Sequence, residues 1–272
     1  MGADAILYDY LWSQIDKIFA GDAGLRSGAD PIHDTRVAIR RVRSTLRVFR
    51  ALLDRDAVER TDAELKWLTG LLGEVRNCQV QLHRFSDALD ELPVELVMGP
   101  VRAAVTNHLL GIELPARRRV AELMESDRYQ GLQSTLRQWR TQPPAVKDFG
   151  LDDLRKRTKR ARRKADARLS AALRGDDGPA LHRARKAAKR ARYASEAMTP
   201  VDSKATRRVK YYKEVQTVLG DHQDAVVAMA ALRRMAASTG TAGGRNGFTF
   251  GLLYAREVHI ADESRRAAGK LS

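Results

Sequence analysis

His33, Arg36, Arg40, Arg43 and Arg47 recur three or four residues apart. On a helix such positions fall within about 80° of one another, so the five side chains form one basic face. The row runs over fourteen residues, roughly 21 Å of helix. A planar guanidinium grips phosphate oxygens with two parallel hydrogen bonds, and an imidazole titrating near neutrality gains charge beside a phosphate. One phosphate is satisfied by one such fork or by two or three donors. A row this long suits a ligand with many phosphates in sequence. The same arrangement returns later in the chain, where His182, Arg185, Lys186, Lys189, Arg192 and Tyr193 share a face. A third basic stripe comprises Arg155, Lys159, Arg162 and Arg163.

Catalytic and metal chemistry find little support, and no catalytic residue, metal ligand or cofactor is assigned. There is no glycine-rich loop ending in Lys-Ser or Lys-Thr to cradle a nucleotide, and no pair of His four apart with a Glu between them. Asp221-His222-Gln223-Asp224 has the composition of a metal site, but such a run serves more often to cap or salt-bridge a helix. Cys78 stands alone in a helical pattern. A single cysteine excludes an intrachain disulfide framework and suits a reducing compartment.

The elements that carry these faces are helical. Apolar positions recur every three or four residues at Ile6, Leu7, Tyr10, Leu11, Ile15 and Ile18. Asp30-Pro31 opens a second helix, expected to reach about Leu53. Residues 57–90 form a helical stretch expected to kink near Gly70 and Gly73. Residues 95–126 continue the pattern with a bend at Pro115, and 128–141 form a shorter piece. Pro143-Pro144 marks the main boundary. Beyond it, 151–173, 180–198, 204–238 and 248–267 read as helices. Turns are expected at Gly175–Pro179 and over Gly240–Gly247. No alternating strand pattern appears, so the fold class is all-α.

Two alignments indicate an internal duplication. His33 aligns with His182, Arg36 with Arg185, Arg41 with Arg190 and Arg43 with Arg192, while Arg40 faces Lys189. Farther on, Leu72-Gly73 aligns with Leu219-Gly220 at nearly the same offset. The two halves are 5–142 and 150–267. Opposite each basic face lies an apolar one, with Ile39, Val42, Leu46 and Phe49 in the first copy and Leu181, Ala184, Ala188 and Ala191 in the second. The apolar sides make core, and the basic sides face water or a ligand.

The net charge is +15, and residues 151–200 hold sixteen Lys or Arg against six Asp or Glu, two thirds of that excess. A compact chain so charged calls for a polyanionic partner: nucleic acid, a phosphate polymer or an anionic membrane. A solvated face laced with salt bridges is the plain alternative, and it calls for acids at i±4. Only Asp34 lies among the six arginines from 36 to 50. Nucleic acid, RNA above all, is the main rival ligand, since a strongly basic chain is its usual footprint. Aromatic residues make up only 6% and do not interleave with the stripes, so base-stacking platforms are scarce. Docking on acidic protein remains a further alternative. Membrane docking wants large apolar residues beside the charges, and here these are committed to core. No run of about 18 apolar residues is present, and the N-terminus lacks the pattern of a signal peptide. The expectation is a soluble cytoplasmic protein of unassigned oligomeric state.

The twice-occurring His-x-x-Arg-x-x-x-Arg/Lys-Arg-x-Arg helix, each followed by a helix carrying Leu-Gly, resembles the CHAD family, the conserved histidine α-helical domain. Arg76-Asn77, Asp221, Asp224 and Arg192-Tyr193 are similar to it as well. The resemblance covers residues 5–267. It implies two helical bundles related by pseudo-twofold symmetry, with a basic groove or channel between them. It implies binding of inorganic polyphosphate and, in bacteria, association with polyphosphate granules. Carried over residue by residue, the ligand contacts are His33, Arg36, Arg40, Arg43, His182, Arg185, Lys189 and Arg192, and Arg47, Lys186 and the stripe Arg155, Lys159, Arg162 and Arg163 are added as candidate polyphosphate contacts. One position departs: Glu196 stands where the first copy has Arg47.

Overall fold

A computed structural model describes residues 2–144, 148–175, 178–240 and 247–271. Nine α-helices occur among the described residues: α1 (Ala3–Arg26), α2 (Ile32–Phe49), α3 (Arg55–Asp90), α4 (Val101–Met124), α5 (Asp127–Thr141), α6 (Leu151–Arg174), α7 (Gly178–Ala197), α8 (Ala205–Gly240) and α9 (Phe248–Gly269). No strand interrupts them, so the all-α reading holds. None of these helices is long and apolar enough to cross a membrane. The differences from the sequence-based boundaries are local. α2 stops at Phe49 and tightens into a 3-10 turn at Arg50–Leu52. α3 runs unbroken past Gly70 and Gly73, and α4 accommodates Pro115 within its length. Most of the expected turn at Gly240–Gly247, and Asp176-Asp177 of the earlier one, lie outside the described residues.

The chain forms two compact units: Met1–Gly73 with Arg119–Gln216, and Glu74–Arg118 with Thr217–Ser272. These units do not follow the repeat boundary, since each takes segments from both halves. Within the first unit, α6 packs on α7, α1 on α2, and α2 on both α6 and α7. The two duplicated basic helices, α2 and α7, are therefore direct neighbours. Their apolar faces explain why. α2 buries Ile32, Thr35, Ala38, Ile39, Val42, Thr45, Leu46 and Phe49, a stripe at helical spacing wide enough to face a core. α7 buries Ala184, Ala187, Ala188, Ala191 and Ala194. Side chains this small allow neighbouring axes to approach toward the lower end of the usual 8–10 Å range, roughly.

Close approach recurs where α1 meets α2. A Cβ at Gly21 would lie 2.0 Å from Thr35 Oγ1, so glycine is the residue the gap admits. Thr35 is buried and its hydroxyl donates to the Pro31 carbonyl at 2.8 Å. Between the two helices, Gly28 adopts a φ of +81°, a left-handed turn that glycine makes at no steric cost.

The second unit has its own core, built from Phe85 and Leu89 of α3, Val101, Val105 and Leu109 of α4, Leu232 and Met235 of α8, and Phe250 and Leu253 of α9. Glu257, 1% exposed, accepts from Arg84 Nε at 2.8 and 2.9 Å, tying α9 to α3. The fully buried Thr249 hydroxyl donates to the Leu96 carbonyl at 2.7 Å and accepts from the Met98 amide at 2.9 Å.

Two helical glycines make a controlled comparison. Gly70 has nothing within 4 Å of an added Cβ, so Gly70→Ala should be neutral or stabilise by up to about 1 kcal/mol. Gly21→Ala drives a methyl into Thr35 and should destabilise by about 1–3 kcal/mol. Urea unfolding followed by circular dichroism measures both, and similar midpoints for the two variants contradict the packing account.

Candidate anion-binding site

The Leu-Gly sequence in α3 acquires a physical meaning once α2 is laid against it. Arg36 Nη1 donates to the Thr69 carbonyl at 2.6 Å, and an added Cβ at Gly73 would come within 2.5 Å of that same nitrogen. Gly73 is the slot that lets the guanidinium reach the helix backbone. Arg36 is thus held in place by its own scaffold. His33, one turn earlier, is exposed. Arg40, one turn later, is half-buried with a buried Nε that has no hydrogen-bond partner, and it has no ion pair among the described residues. An unsatisfied buried donor costs about 1–3 kcal/mol, a penalty that an arriving anion would remove.

Farther along α2, Arg43 and Arg47 converge on one carboxylate from α3. Arg43 Nε donates to Asp62 Oδ1 at 2.9 Å, and Arg47 donates to Oδ2 from Nε at 3.1 Å and from Nη2 at 2.6 Å. Burial would push the Asp62 carboxyl up. Its hydrogen bonds to the two guanidiniums, and their charges, outweigh this and hold it below its ordinary value. Read on a single helix, this stretch of α2 looks short of acids. The neutralising group comes from a neighbouring helix instead, and one carboxylate between two arginines leaves an excess cation.

Around this pair the structure assembles cations that the three sequence stripes do not contain. Burial pushes the Arg190 guanidinium below its ordinary value, and the like charges of Arg47, Arg168 and Arg43 push in the same direction, with Asp62 opposing. Lys164 is lowered chiefly by Arg168, then by burial and by Arg190, Arg160 and Arg50. Arg50, Arg160, Lys164, Arg168 and Arg190 have no ion-pair partner among the described residues. This is a cationic cluster drawn from α2, α6 and α7, and helix packing holds it together against its own repulsion. The signal for it was present in the sequence. Arg160, Lys164 and Arg168 stand four apart and form a second stripe on α6.

Apolar burial on α6 explains why it has two basic faces. Leu154, Thr158, Ala165, Leu169 and Ala172 are buried, and the two stripes flank that line roughly 100° to either side. One stripe joins the α2–α7 cluster. On the other, Lys159, Arg162 and Arg163 line a cavity of about 580 Å³ together with Lys204, Arg207 and Arg208. Arg155, grouped with them by spacing, is exposed and pairs with Asp152 at 3.1 Å.

On α7, His182, Arg185 and Lys189 are half-buried and Lys186 is exposed. Arg192 has a different setting. Its Nε donates to Glu196 at 2.9 Å, and the same carboxylate accepts from Arg41 Nε and from the Tyr10 hydroxyl, each at 2.9 Å. Both guanidinium carbons lie 5.5 Å from the Tyr193 ring centroid. Burial, then the adjacent Glu196 charge, pushes the Tyr10 hydroxyl strongly up. The departure of Glu196 from the repeat pattern thus has a reason: it locks α1, α2 and α7 together, and Arg192 serves that lock. No group of three or more His, Cys, Asp or Glu able to hold a metal occurs among the described residues.

With this geometry in hand, the chain compares as follows. A family model described as CHAD domain matches residues 9–233. Two uncharacterized proteins from two strains of Mycobacterium tuberculosis are each 31% identical over 259 residues, 93% of this chain. The chain spans about half of their length, 49%. Among solved structures, PptA from Streptomyces chartreusis has a TM-score of 0.83 at 23% identity, covering 100% of this chain and 99% of that one. The CHAD domain from the plant Ricinus communis has a TM-score of 0.78 at 25% identity, covering 98% of this chain and 91% of that one.

Asp62 makes the site's charge balance testable. Because its folded pKa is lowered, it contributes stability that is complete above its unfolded value near about 4 and is lost as pH falls through the folded value. Asp62→Asn should destabilise by about 2 kcal/mol at neutral pH and tighten binding of polyanions. The stability difference from wild type should hold constant down to about pH 5 and shrink below about pH 4. A difference that grows in acid contradicts the assignment.

Proposed function

The chain belongs to the CHAD domain family, and from that premise we propose that it binds inorganic polyphosphate without catalysing its turnover. The observation that carries this reading is the crowding of cations from α2, α6 and α7 upon one another, with one carboxylate, Asp62, shared by Arg43 and Arg47 beside Arg190. Polyphosphate is the ligand whose chemistry answers it: a flexible chain of closely spaced negative charges, with no ring to seat and no sequence to read. Guanidiniums pushed toward one another by packing are relieved together when such a chain lies among them. The α2 face, starting at Arg36 and Arg40, and the α7 face, with Arg185, Lys186 and Lys189, extend the contact. Association with polyphosphate granules follows as the cellular consequence of this binding.

The rival reading, RNA, uses the same charges but needs exposed rings for its bases. Tyr193, the ring against Arg41 and Arg192, is 3% exposed, so stacking finds no platform there. Direct competition separates the two. Long-chain polyphosphate should displace the protein from RNA at far lower phosphate concentration than RNA needs to displace it from polyphosphate. Affinity should also fall steeply with salt, as counterion release requires.

Reversing charge on one basic face of each half tests the site. Arg40→Glu combined with Lys189→Glu should weaken polyphosphate binding by about a hundredfold or more, because four units of charge change within the contact. Helicity by circular dichroism should be unchanged, since neither side chain is a core residue. Undiminished affinity in a folded double variant refutes the site.

A further inference from the structure

The cavity on the far side of α6 has a composition that the polymer cluster does not explain. Its cationic lining is Lys159, Arg162 and Arg163 from α6, with Lys204, Arg207 and Arg208 at the start of α8. Arg208 pairs with Asp202, and Asp166 is held by the Tyr212 hydroxyl at 2.8 Å. Lys159, Arg163, Lys204 and Arg207 have no ion-pair partner among the described residues. Arg162 is half-buried beside Arg208, and its buried Nη1 lacks a hydrogen-bond partner. Burial, and then the charge of Arg208, pushes that guanidinium below its ordinary value. A desolvated, unpartnered donor beside a like charge is relieved when an anion binds among them.

Three features define the anion. First, the basic lining is short. Its cations run from Lys159 to Arg163 and from Lys204 to Arg208, each about 6 Å of helix. Acids lie among these cations: Asp166 lines the cavity and Asp202 pairs with Arg208. A lining this short suits a compact anion. Second, six cations against Asp166 and Asp202 leave four positive charges. A terminal phosphate carries up to about two negative charges and each internal phosphate about one, so a triphosphate linked at one end supplies about four and inorganic tripolyphosphate about five. Third, Tyr211 and Tyr212 also line the cavity, with ring centroids 5.0 Å apart in an edge-to-face pair. About 580 Å³ is the size of an ordinary small-molecule site.

We propose that this cavity is a separate site for the triphosphate group of a compact molecule, with Tyr211 offering a face to a planar base. The site stands apart from the polymer-binding reading, because it uses the opposite stripe of α6. Arg162 and Arg163 grip the phosphates with their forks. Lys204 and Arg207 close over them from α8. A triphosphate linked to a base would place its uncharged ring against Tyr211, and inorganic tripolyphosphate would occupy the cationic end alone.

Isothermal titration of the full chain with ATP, GTP and sodium tripolyphosphate tests this, with long-chain polyphosphate measured in parallel. All three triphosphates should bind saturably. Lys204→Gln with Arg207→Gln should weaken each about tenfold or more while leaving long-chain polyphosphate binding and helicity as in wild type. Tyr211→Leu separates the sources. If it lowers affinity for ATP and GTP but not for tripolyphosphate, the natural ligand carries a base; if all three are unaffected, it is inorganic triphosphate. Absence of saturable binding up to about 1 mM, or binding indifferent to the Lys204 and Arg207 changes, overturns the site. The Arg40 and Lys189 double reversal should leave triphosphate binding intact, so the two sites fail or stand independently.

Discussion

Like-charge repulsion confined by helix packing is the constraint on which the rest of this structure depends. Arg190 sits with Arg43, Arg47 and Arg168 close enough for each to push its guanidinium toward losing charge. Lys164 is crowded in the same way by Arg160, Arg168, Arg190 and Arg50. Asp62 opposes this at Arg190, and it is already divided between Arg43 and Arg47. Such an arrangement persists only because the apolar faces beneath it are strongly held. The buried residues of α2 and the alanines of α7 fix where the basic faces lie. The opposing cost is electrostatic and falls when an anion arrives or when salt screens the charges.

The same logic separates arginines that hold the scaffold from arginines that face a ligand. Arg36 reaches through the gap at Gly73 to a backbone carbonyl. Arg41 and Arg192 share Glu196 with Tyr10. Arg84 binds a buried carboxylate in the second unit. In each case a partner is built into the fold at hydrogen-bond distance. Arg40 and Arg162, by contrast, carry buried nitrogens with no such partner. Buried polar groups are normally satisfied, and these two nitrogens are among several buried side-chain atoms that are not.

Much of this was legible in the sequence, and the reasons for the gaps are physical. Helical periodicity located the nine helices of the described residues, most ends to within a few residues and the start of α4 to within six, because each has an apolar stripe at helical spacing. The α2 wheel separated Arg36, Arg40, Arg43 and Arg47 from Ile39, Val42, Leu46 and Phe49, and burial follows that separation. A wheel drawn for one helix is blind to its neighbours, so it missed Asp62 reaching across from α3 and cast Arg192 as a ligand contact when Glu196 already holds it. It also recorded one stripe on α6 where there are two, so Arg160, Lys164 and Arg168 went unnoticed, and Arg190 entered only as the repeat counterpart of Arg41. The helix is not interrupted at Gly70 and Gly73. At Gly73 the missing side chain makes room for Arg36, which has nothing to do with helix flexibility. The repeat was read from sequence alignment alone, and the compact units cut across it because contacts join segments from both halves.

The most direct test is a crystal structure of the protein bound to a polyphosphate of defined length. The account predicts a continuous line of phosphate density among Arg47, Arg190, Lys164 and Arg168, with Asp62 retained between Arg43 and Arg47. Phosphates ordered only on surfaces remote from that cluster, with Arg190 and Lys164 left facing solvent, would contradict it.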